Sequence, residues 1–208
     1  MTDVPVRRAV PGDALAIAML DAEAWDDSIG DGHHTWRLWI DGAYVFVAVE
    51  EIGAAEEEGE EAPQEDDAGS ALTKISTKII ASSLKRLGTG ELGGQDVPDY
   101  RIVDPAPPET QAIRACAMGF PTLEGDVAVH KVFTDTEYRS RGYGAAAMRA
   151  LLDALDEAGV ESFLTVSPSN TAAQWLYRKL GFEAIDRIAD YYGPDEDRDV
   201  MRRKPQGR

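Results

Sequence analysis

The sequence predicts a mixed α/β domain in which helices cover both faces of one central sheet. Short β-branched and aromatic segments of strand length alternate along the chain with longer amphipathic segments of helical period. No internal repeat is visible, and 208 residues fit one domain with a single core. We therefore expect residues 1–208 to form one domain.

The first fifty residues predict two strands and two helices. Residues 4–10 form a short predicted strand, and Asp13 is placed to cap a helix that runs to about Trp25. A second helix is expected over 33–40. The β-branched and aromatic run 44–50 then predicts a buried strand.

Residues 51–111 differ in composition from the rest and are predicted to be an insertion. The stretch 51–70 holds nine acidic residues and no Lys or Arg, so it buries too little apolar surface to order itself and is predicted to be disordered. Residues 71–87 predict a basic amphipathic helix that lies on the domain or on the acidic run; the alternative is a membrane-surface or partner helix. The Gly- and Pro-rich residues 88–111 are predicted to be a linker.

After residue 111 strand-like and helix-like segments alternate regularly. Gly159 is expected to stop the first of two helices. The segment 183–190 follows the second helix. The predicted strands are 113–120, 126–134, 160–166 and a short one near 199–203, and the predicted helices are 142–158 and 170–180.

Composition excludes several function classes. The formal charge of −17, from 38 acidic and 21 basic residues, argues against nonspecific binding of nucleic acid. It is compatible with a salt-rich cytoplasm, where acidic surfaces keep proteins dispersed. The lone Cys116 is predicted to be a small residue buried in the core. Because a single cysteine cannot form an intramolecular disulfide, the sequence indicates a reducing compartment. The apolar run 14–20 is too short for a signal peptide or membrane span, so we expect a cytoplasmic protein without integral membrane segments.

The stretch YRSRGYGAAAM, residues 138–148, has the composition of an anion-binding loop. Two glycines let the backbone approach a ligand, and amides from Arg141 to Ala145 would lie at the positive end of a helix dipole. Residues 138–150 hold three arginines and no acid, against the sign of the whole chain. A dinucleotide fingerprint and a plain strand-to-helix turn are the competing interpretations.

The C-terminal half resembles the GNAT superfamily of acyl-CoA-dependent N-acyltransferases. Residues 139–144 match that family's Arg/Gln-x-x-Gly-x-Gly/Ala pyrophosphate loop, and 129–138 stand in the place of its fourth strand. Residues 164–185 match its fifth strand, Asn-containing turn and Leu-Tyr-x-x-Leu-Gly-Phe helix. The resemblance is close over 113–203 and loose over 4–50. It implies a mixed, mostly antiparallel sheet of about seven strands, with the insertion between the second and third strands.

The resemblance also implies acetyl-CoA as the acyl donor. Backbone groups of Val132 and Thr134 would pair with the pantetheine arm, and Asn170 would lie beside that arm. The loop residues assigned to the donor are Arg139, Arg141, Gly142, Tyr143, Gly144 and Ala145.

Tyr177 occupies the place of the family's general acid, where a phenol can protonate the departing thiolate. Its helical stripe with Ala173 and Leu180 leaves a core tyrosine as the alternative. His130 is the candidate base, with a histidine packed in the sheet or an ordered water as alternatives. Thr165 stands where relatives that acetylate protein N-termini often carry a Glu, which weighs against a carboxylate base.

We therefore predict an N-acetyltransferase that acts by direct attack of a primary amine, with a protein or peptide as acceptor. The alternatives are a small-amine or polyamine acetyltransferase and an inactive CoA-binding regulatory module. The tail 191–201 also resembles the ribosomal-protein alanine acetyltransferases and N-terminal acetyltransferases, which makes Tyr191 and Tyr192 candidates for shaping the acceptor cleft. The acids at 195–197 are candidates for attracting an amine, with solvated turn acids as the alternative. His33 and His34 have no third ligand in the sequence, so no metal is expected. The oligomeric state is left open, a homodimer included.

Overall fold

The computed structural model describes residues 3–25, 32–52 and 97–207. All of these residues fall within one compact unit. The predictions of disorder up to residue 70, of a basic helix over 71–87 and of the first part of the linker lie outside the described residues, apart from Glu51 and Ile52.

The described residues form one eight-stranded sheet with the order β3-β1-β2-β4-β5-β6-β8-β7. Only β1 with β3 and β5 with β6 pair in parallel. The mixed, mostly antiparallel sheet is therefore confirmed. The strands are β1 Val4–Arg8, β2 Tyr44–Glu51, β3 Tyr100–Ile102, β4 Gln111–Pro121, β5 Val127–Thr134, β6 Ser162–Val166, β7 Glu183–Ile188 and β8 Arg198–Arg203.

Helices lie on both faces of this sheet, as the sequence predicts. They are α1 Ala14–Trp25, α2 Gly32–Gly42, α3 Tyr143–Ala158 and α4 Thr171–Lys179. Gly159 ends α3 in the left-handed region, at φ +68°. Asp13 was predicted to cap α1, but it lies in a 3-10 turn before that helix. Its carboxylate accepts the Val10 amide at 2.8 Å and pairs with the buried Arg7.

Two apolar cores flank the sheet. The core on the α3 face contains Ala146, Leu151 and Leu155. The core on the α1/α2 face contains Ile17, Trp36 and Cys116. Complete burial raises the pKa of the Cys116 thiol well above its usual value, so the thiol stays protonated and unreactive.

The short strand β3 was not predicted and lies within 88–111, which the sequence analysis assigned to a linker. It continues the sheet beyond β1, with the Val4 amide donating to Asp99 O at 3.1 Å and the Val103 amide donating to Val6 O at 2.9 Å. Three residues next to several prolines carry no strand period, so this pairing depends on the exposed edge of β1. None of the helices in the described ranges is both long and apolar enough to cross a membrane.

Candidate active site

A gap opens between two neighbouring strands of the sheet, β5 and β6. They pair only at Val127 with Ser162 and at Ala128 with Phe163. Beyond these pairs β5 continues for six residues to Thr134 without a β6 partner in the described chain. The backbone on this side of β5 is therefore left without the sheet hydrogen bonds that it has on the β4 side.

Register determines which backbone groups of β5 face the gap. The Asp135 amide donates to Arg114 O at 2.8 Å, so Asp135 points its backbone toward β4. In an antiparallel ladder this direction alternates by residue. Val132 and Thr134, which pair with Ala117 and Ala115, consequently turn their N–H and C=O groups away from β4 and toward the gap.

A bulge in β5 changes the direction of the side chains at His130. Met118 pairs with Lys131, and Gly119 pairs with Val129, so His130 is the extra residue. His130 and Lys131 consequently both lie on the α1/α2 face. The His130 ring centroid is 6.1 Å from that of Trp39, and Lys131 Nζ is 2.6 Å from Asp21 Oδ2.

The environment of His130 favours its neutral form. Partial burial of the imidazole lowers its pKa below 6.5, and the nearby charge of Lys131 lowers it further, against an opposing effect of Asp21. The ring of Phe120 lies 5.8 Å away, centroid to centroid. At neutral pH the imidazole therefore has a free nitrogen that can accept a proton.

The start of α3 lies directly beyond β5. Gly142 precedes the helix at φ +90°, a conformation that favours glycine. Its carbonyl accepts the Ala146 amide at 2.9 Å, so the amides of residues 143–145 have no acceptor within the helix. A methyl group on Gly144 would lie 2.5 Å from Thr134 Oγ1, which shows how closely the helix start approaches the end of β5.

Aromatic stacking orders the arginine side chains of the loop only in part. The Arg141 guanidinium lies 4.8 Å from the ring centroid of Tyr138, and Arg114 lies 3.9 Å from it. Arg139 is exposed and has no side-chain partner among the described residues. Arg149 pairs with Asp99 at 2.9 Å, so only two of the three arginines counted in this region remain without an acidic partner in the described structure.

Two residues that the sequence analysis missed hold Tyr138 in place. The Tyr138 hydroxyl donates to Glu50 Oε2 at 2.8 Å, and Arg114 donates to the same oxygen at 2.7 Å. The hydrogen bond from Arg114, with Tyr138 adding to it, lowers the pKa of Glu50 although partial burial opposes the shift. Glu50 is 88 residues from Tyr138 in sequence, and no local pattern connects them.

Tyr177 lies on α4 and is mostly buried against the α3-face core. Its ring centroid is 5.9 Å from that of Phe182. Burial raises the pKa of Tyr177 to about 12. The hydroxyl makes no hydrogen bond within the described residues, so it is available to a ligand. The ring of Tyr177 therefore packs as a core residue, which was one alternative from the sequence, while its hydroxyl has no hydrogen-bond partner among the described residues.

The remaining candidates make only local contacts among the described residues. Asn170 caps α4, its side-chain oxygen accepting the Ala173 amide at 3.1 Å. Tyr191 and Tyr192 are exposed on the β7–β8 loop with rings 4.6 Å apart. His33 and His34 stack on each other at 3.7 Å. Among the described residues no three His, Cys, Asp or Glu side chains are grouped so that they could hold a metal ion.

Comparison with known proteins finds that part of the chain is similar to one family. Residues 96–182 match the model of the acetyltransferase (GNAT) family. An N-alpha-acetyltransferase of Sulfurisphaera tokodaii is 35% identical over 83 residues, which are 39% of this chain and 50% of the relative. The ribosomal protein bS18-alanine N-acetyltransferase of Escherichia coli K12 is 32% identical over 75 residues, 36% of this chain and 51% of the relative.

The chain thus spans about half the length of these curated relatives, 50% and 51%. A crystal structure of a putative GNAT-family acetyltransferase from Desulfovibrio desulfuricans superposes on 97% of this chain and 98% of its own, with a TM-score of 0.56 and 14% identity. At that identity the likeness concerns the fold alone. It agrees with the fold predicted from the sequence.

Proposed function

We propose that the chain is an acetyltransferase of the GNAT family, to whose model residues 96–182 are similar, and that it transfers an acetyl group from acetyl-CoA to a primary amine of a protein or peptide. The single observation that carries the proposal is the gap between β5 and β6, which ends at the open amides of the α3 N-terminus. An elongated ligand with an anionic end fits both features. Acetyl-CoA is such a ligand.

The donor would lie along β5 and end at α3. Backbone groups of Val132 and Thr134 would hydrogen-bond the amides of the pantetheine arm as an added strand does. The amides of residues 143–145, at the positive end of the α3 dipole, would hold the pyrophosphate. Arg139 and Arg141 would add charge from the solvent side, and Asn170 would border the arm at the start of α4.

Tyr177 would act on the sulfur as the C–S bond breaks. With a pKa of about 12 the phenol stays protonated across the working range of pH. A thiol has a pKa of about 8.5, so complete proton transfer from the phenol to the thiolate is uphill. We therefore assign Tyr177 the role of a hydrogen-bond donor that stabilises the developing negative charge, with solvent completing the protonation.

His130 would remove the proton that the attacking amine loses. Its neutral imidazole lies on the α1/α2 face, whereas Tyr177 packs with the α3 face. The two faces can reach each other where β5 and β6 separate, so the amine and the thioester would meet there. Thr165 offers no carboxylate in this region, which leaves His130, acting directly or through a water, as the base.

The acceptor would approach from the α1/α2 face. Trp39 and Phe120 form an aromatic wall beside His130 there, and the exposed Tyr191 and Tyr192 lie on the β7–β8 loop with Asp195, Glu196 and Asp197. An apolar wall and a group of acids suit a peptide with a protonated amine. The second candidate is a small amine or polyamine, which the same acids would attract. A cytoplasmic location and a salt-rich host stay predictions of the sequence, and the oligomeric state stays open.

Mass spectrometry of a peptide and amine panel incubated with acetyl-CoA tests the proposal. We expect acetylation of peptide amines, with release of one CoA per acetyl group. Acetylation of small amines alone would favour the second candidate. CoA binding by calorimetry without transfer to any amine would indicate a regulatory module, and the absence of CoA binding would remove the family activity altogether.

A further inference from the structure

A short segment near the end of the predicted insertion 51–111 contacts the start of α3. This segment, residues 97–103, is called the strap below. It includes β3 and is fixed to β1 by the hydrogen bonds of Asp99 and Val103. It is also fixed to α3, because Arg149 donates to Asp99 Oδ1 at 2.9 Å and the Tyr100 hydroxyl donates to Asp153 Oδ2 at 2.6 Å.

The first part of the strap touches the loop that precedes α3. Pro98 is buried, and a methyl group built on Gly142 would lie 2.5 Å from Pro98 Cγ. The pyrrolidine ring therefore fills the space beside the Gly142 backbone. On its other side the helix start meets Thr134, which lies against Gly144. The backbone of residues 142–144 is held between these two contacts, and its amides take their direction from them.

We infer that Pro98 is a positioning residue for the donor site, one that fixes the amides at the start of α3 by supporting Gly142. This inference rests on the proposed function, since it concerns how acetyl-CoA is held. The reason is geometric: free amides bind an anion well only when their directions converge, and a glycine at φ +90° does not by itself hold one direction. A rigid ring at van der Waals distance supplies that restraint.

Pro98→Ala tests this with little other disturbance. Pro98 donates no backbone hydrogen bond, so alanine breaks none of the strap's bonds to β1; it removes ring atoms and adds one backbone N–H, which the valine variant below adds as well. We expect the Kd for CoA and the KM for acetyl-CoA to rise about 5-fold to 10-fold, while kcat and the KM for the amine change less than about twofold. Pro98→Val, which keeps two Cγ atoms at the contact, should retain an affinity close to that of the unaltered protein.

Tyr100→Phe is the matched control within the strap. It loses the hydrogen bond to Asp153, three helical turns further along α3, and leaves Pro98 in place. We expect it to lower the thermal midpoint and to leave the Kd for CoA within about twofold. A merely structural role of the strap would make Tyr100→Phe and Pro98→Ala weaken CoA binding alike, and that result would overturn the inference.

A double-mutant cycle with Gly142→Ala adds a second test. The new methyl group collides with the Pro98 ring and also strains the φ angle of residue 142. We therefore expect the Kd for CoA to rise by a factor of about 20 or more. Removing the ring should relieve the collision but not the φ strain, so the double variant should bind at least about threefold better than the product of the single effects predicts. Additive effects would overturn the inference.

The two levels of the proposal fail differently. If the unaltered protein does not bind CoA in calorimetry, the proposed function itself is wrong. If it binds CoA, and Pro98→Ala binds equally well, the function stands and only the role of Pro98 is lost.

Discussion

Tyr177→Phe removes one oxygen atom from the candidate site and leaves the packing of α4 unchanged. The hydroxyl has no hydrogen-bond partner within the described residues, and the ring keeps its contact with Phe182. We therefore expect the free energy of unfolding at pH 8 to change by less than about 0.5 kcal/mol. Stability and activity can thus be separated at this position.

The activity should fall strongly. A donor aimed at a developing negative charge in a site shielded from water is worth about 100-fold to 1,000-fold in kcat, or about 2.7–4 kcal/mol. The KM for acetyl-CoA should change less than about threefold, because the hydroxyl acts on the departing sulfur rather than on bound donor. Steady-state release of CoA, detected with a thiol reagent, measures both quantities.

The pH dependence of stability gives an independent reading of the same hydroxyl. Burial raises the pKa of Tyr177 from 10 to about 12, so folding disfavours the phenolate. Ionisation of Tyr177 therefore leaves stability unchanged below pH 10 and lowers it, by up to about 3 kcal/mol, as the pH rises from 10 toward 12. Tyr177→Phe should lack this part of the alkaline loss.

Tyr44→Phe is the control, because Tyr44 also packs partly buried against the α3-face core but lies on β2. Its kcat should stay within about twofold of the unaltered enzyme. A Tyr177→Phe variant that folds normally and keeps kcat within about threefold would refute the assignment of the hydroxyl to the reaction.

Three further predictions follow from the described contacts. If His130 is the base, His130→Gln should lower kcat/KM about 10-fold to 100-fold and remove the part of its acidic fall that comes from a group with a pKa below 6.5, while the part due to protonation of the amine stays; an unchanged acidic limb would assign the base elsewhere. Arg141→Gln should raise the KM for acetyl-CoA about 3-fold to 10-fold, and less in high salt; a salt-independent effect would argue against a role of its charge. Asp156→Asn should cost about 3 kcal/mol at neutral pH, because it leaves the buried Arg203 guanidinium unpaired. Burial alone would raise the pKa of Asp156, but Arg203 and the Gln206 amide lower it below 3.8, so urea titrations should show this cost shrinking as pH falls through that lowered pKa.

Much of the loop and helix that form the proposed donor site could be predicted from the sequence because their signals are local. Gly142, Gly144 and the apolar stripe of α3 lie within one turn or a few turns of each other, so spacing alone indicates a helix that opens with exposed amides. The same holds for Gly159, which ends α3 where the pattern stops. Val132 and Thr134 were predicted only from the resemblance to a family. Their predicted role is backbone hydrogen bonding, which does not restrict the type of side chain.

The supports of the site could not be predicted, because their partners are distant in sequence. Lys131 pairs with Asp21 across 110 residues, and Glu50 reaches Tyr138 across 88. The bulge that gives His130 and Lys131 the same face arises from the register between β4 and β5, not from either strand alone. The contact of Pro98 with Gly142 likewise depends on the pairing of β3 with the edge of β1, and the three residues of β3 are too few to show a strand pattern.

These supports bear on which part of the donor loop matters most for binding an anion. The sequence suggests that arginines supply the attraction, yet Arg149 is paired with Asp99, and Arg141 lies over a tyrosine ring whose hydroxyl is bonded to Glu50. For the proposed donor site we therefore expect the fixed amides of residues 143–145 to carry more of the binding than the arginine count indicates. It follows that Gly142→Ala, which redirects amides, should weaken CoA binding more than Arg141→Gln, which removes an exposed charge. The reverse order would place the attraction in the side chains after all.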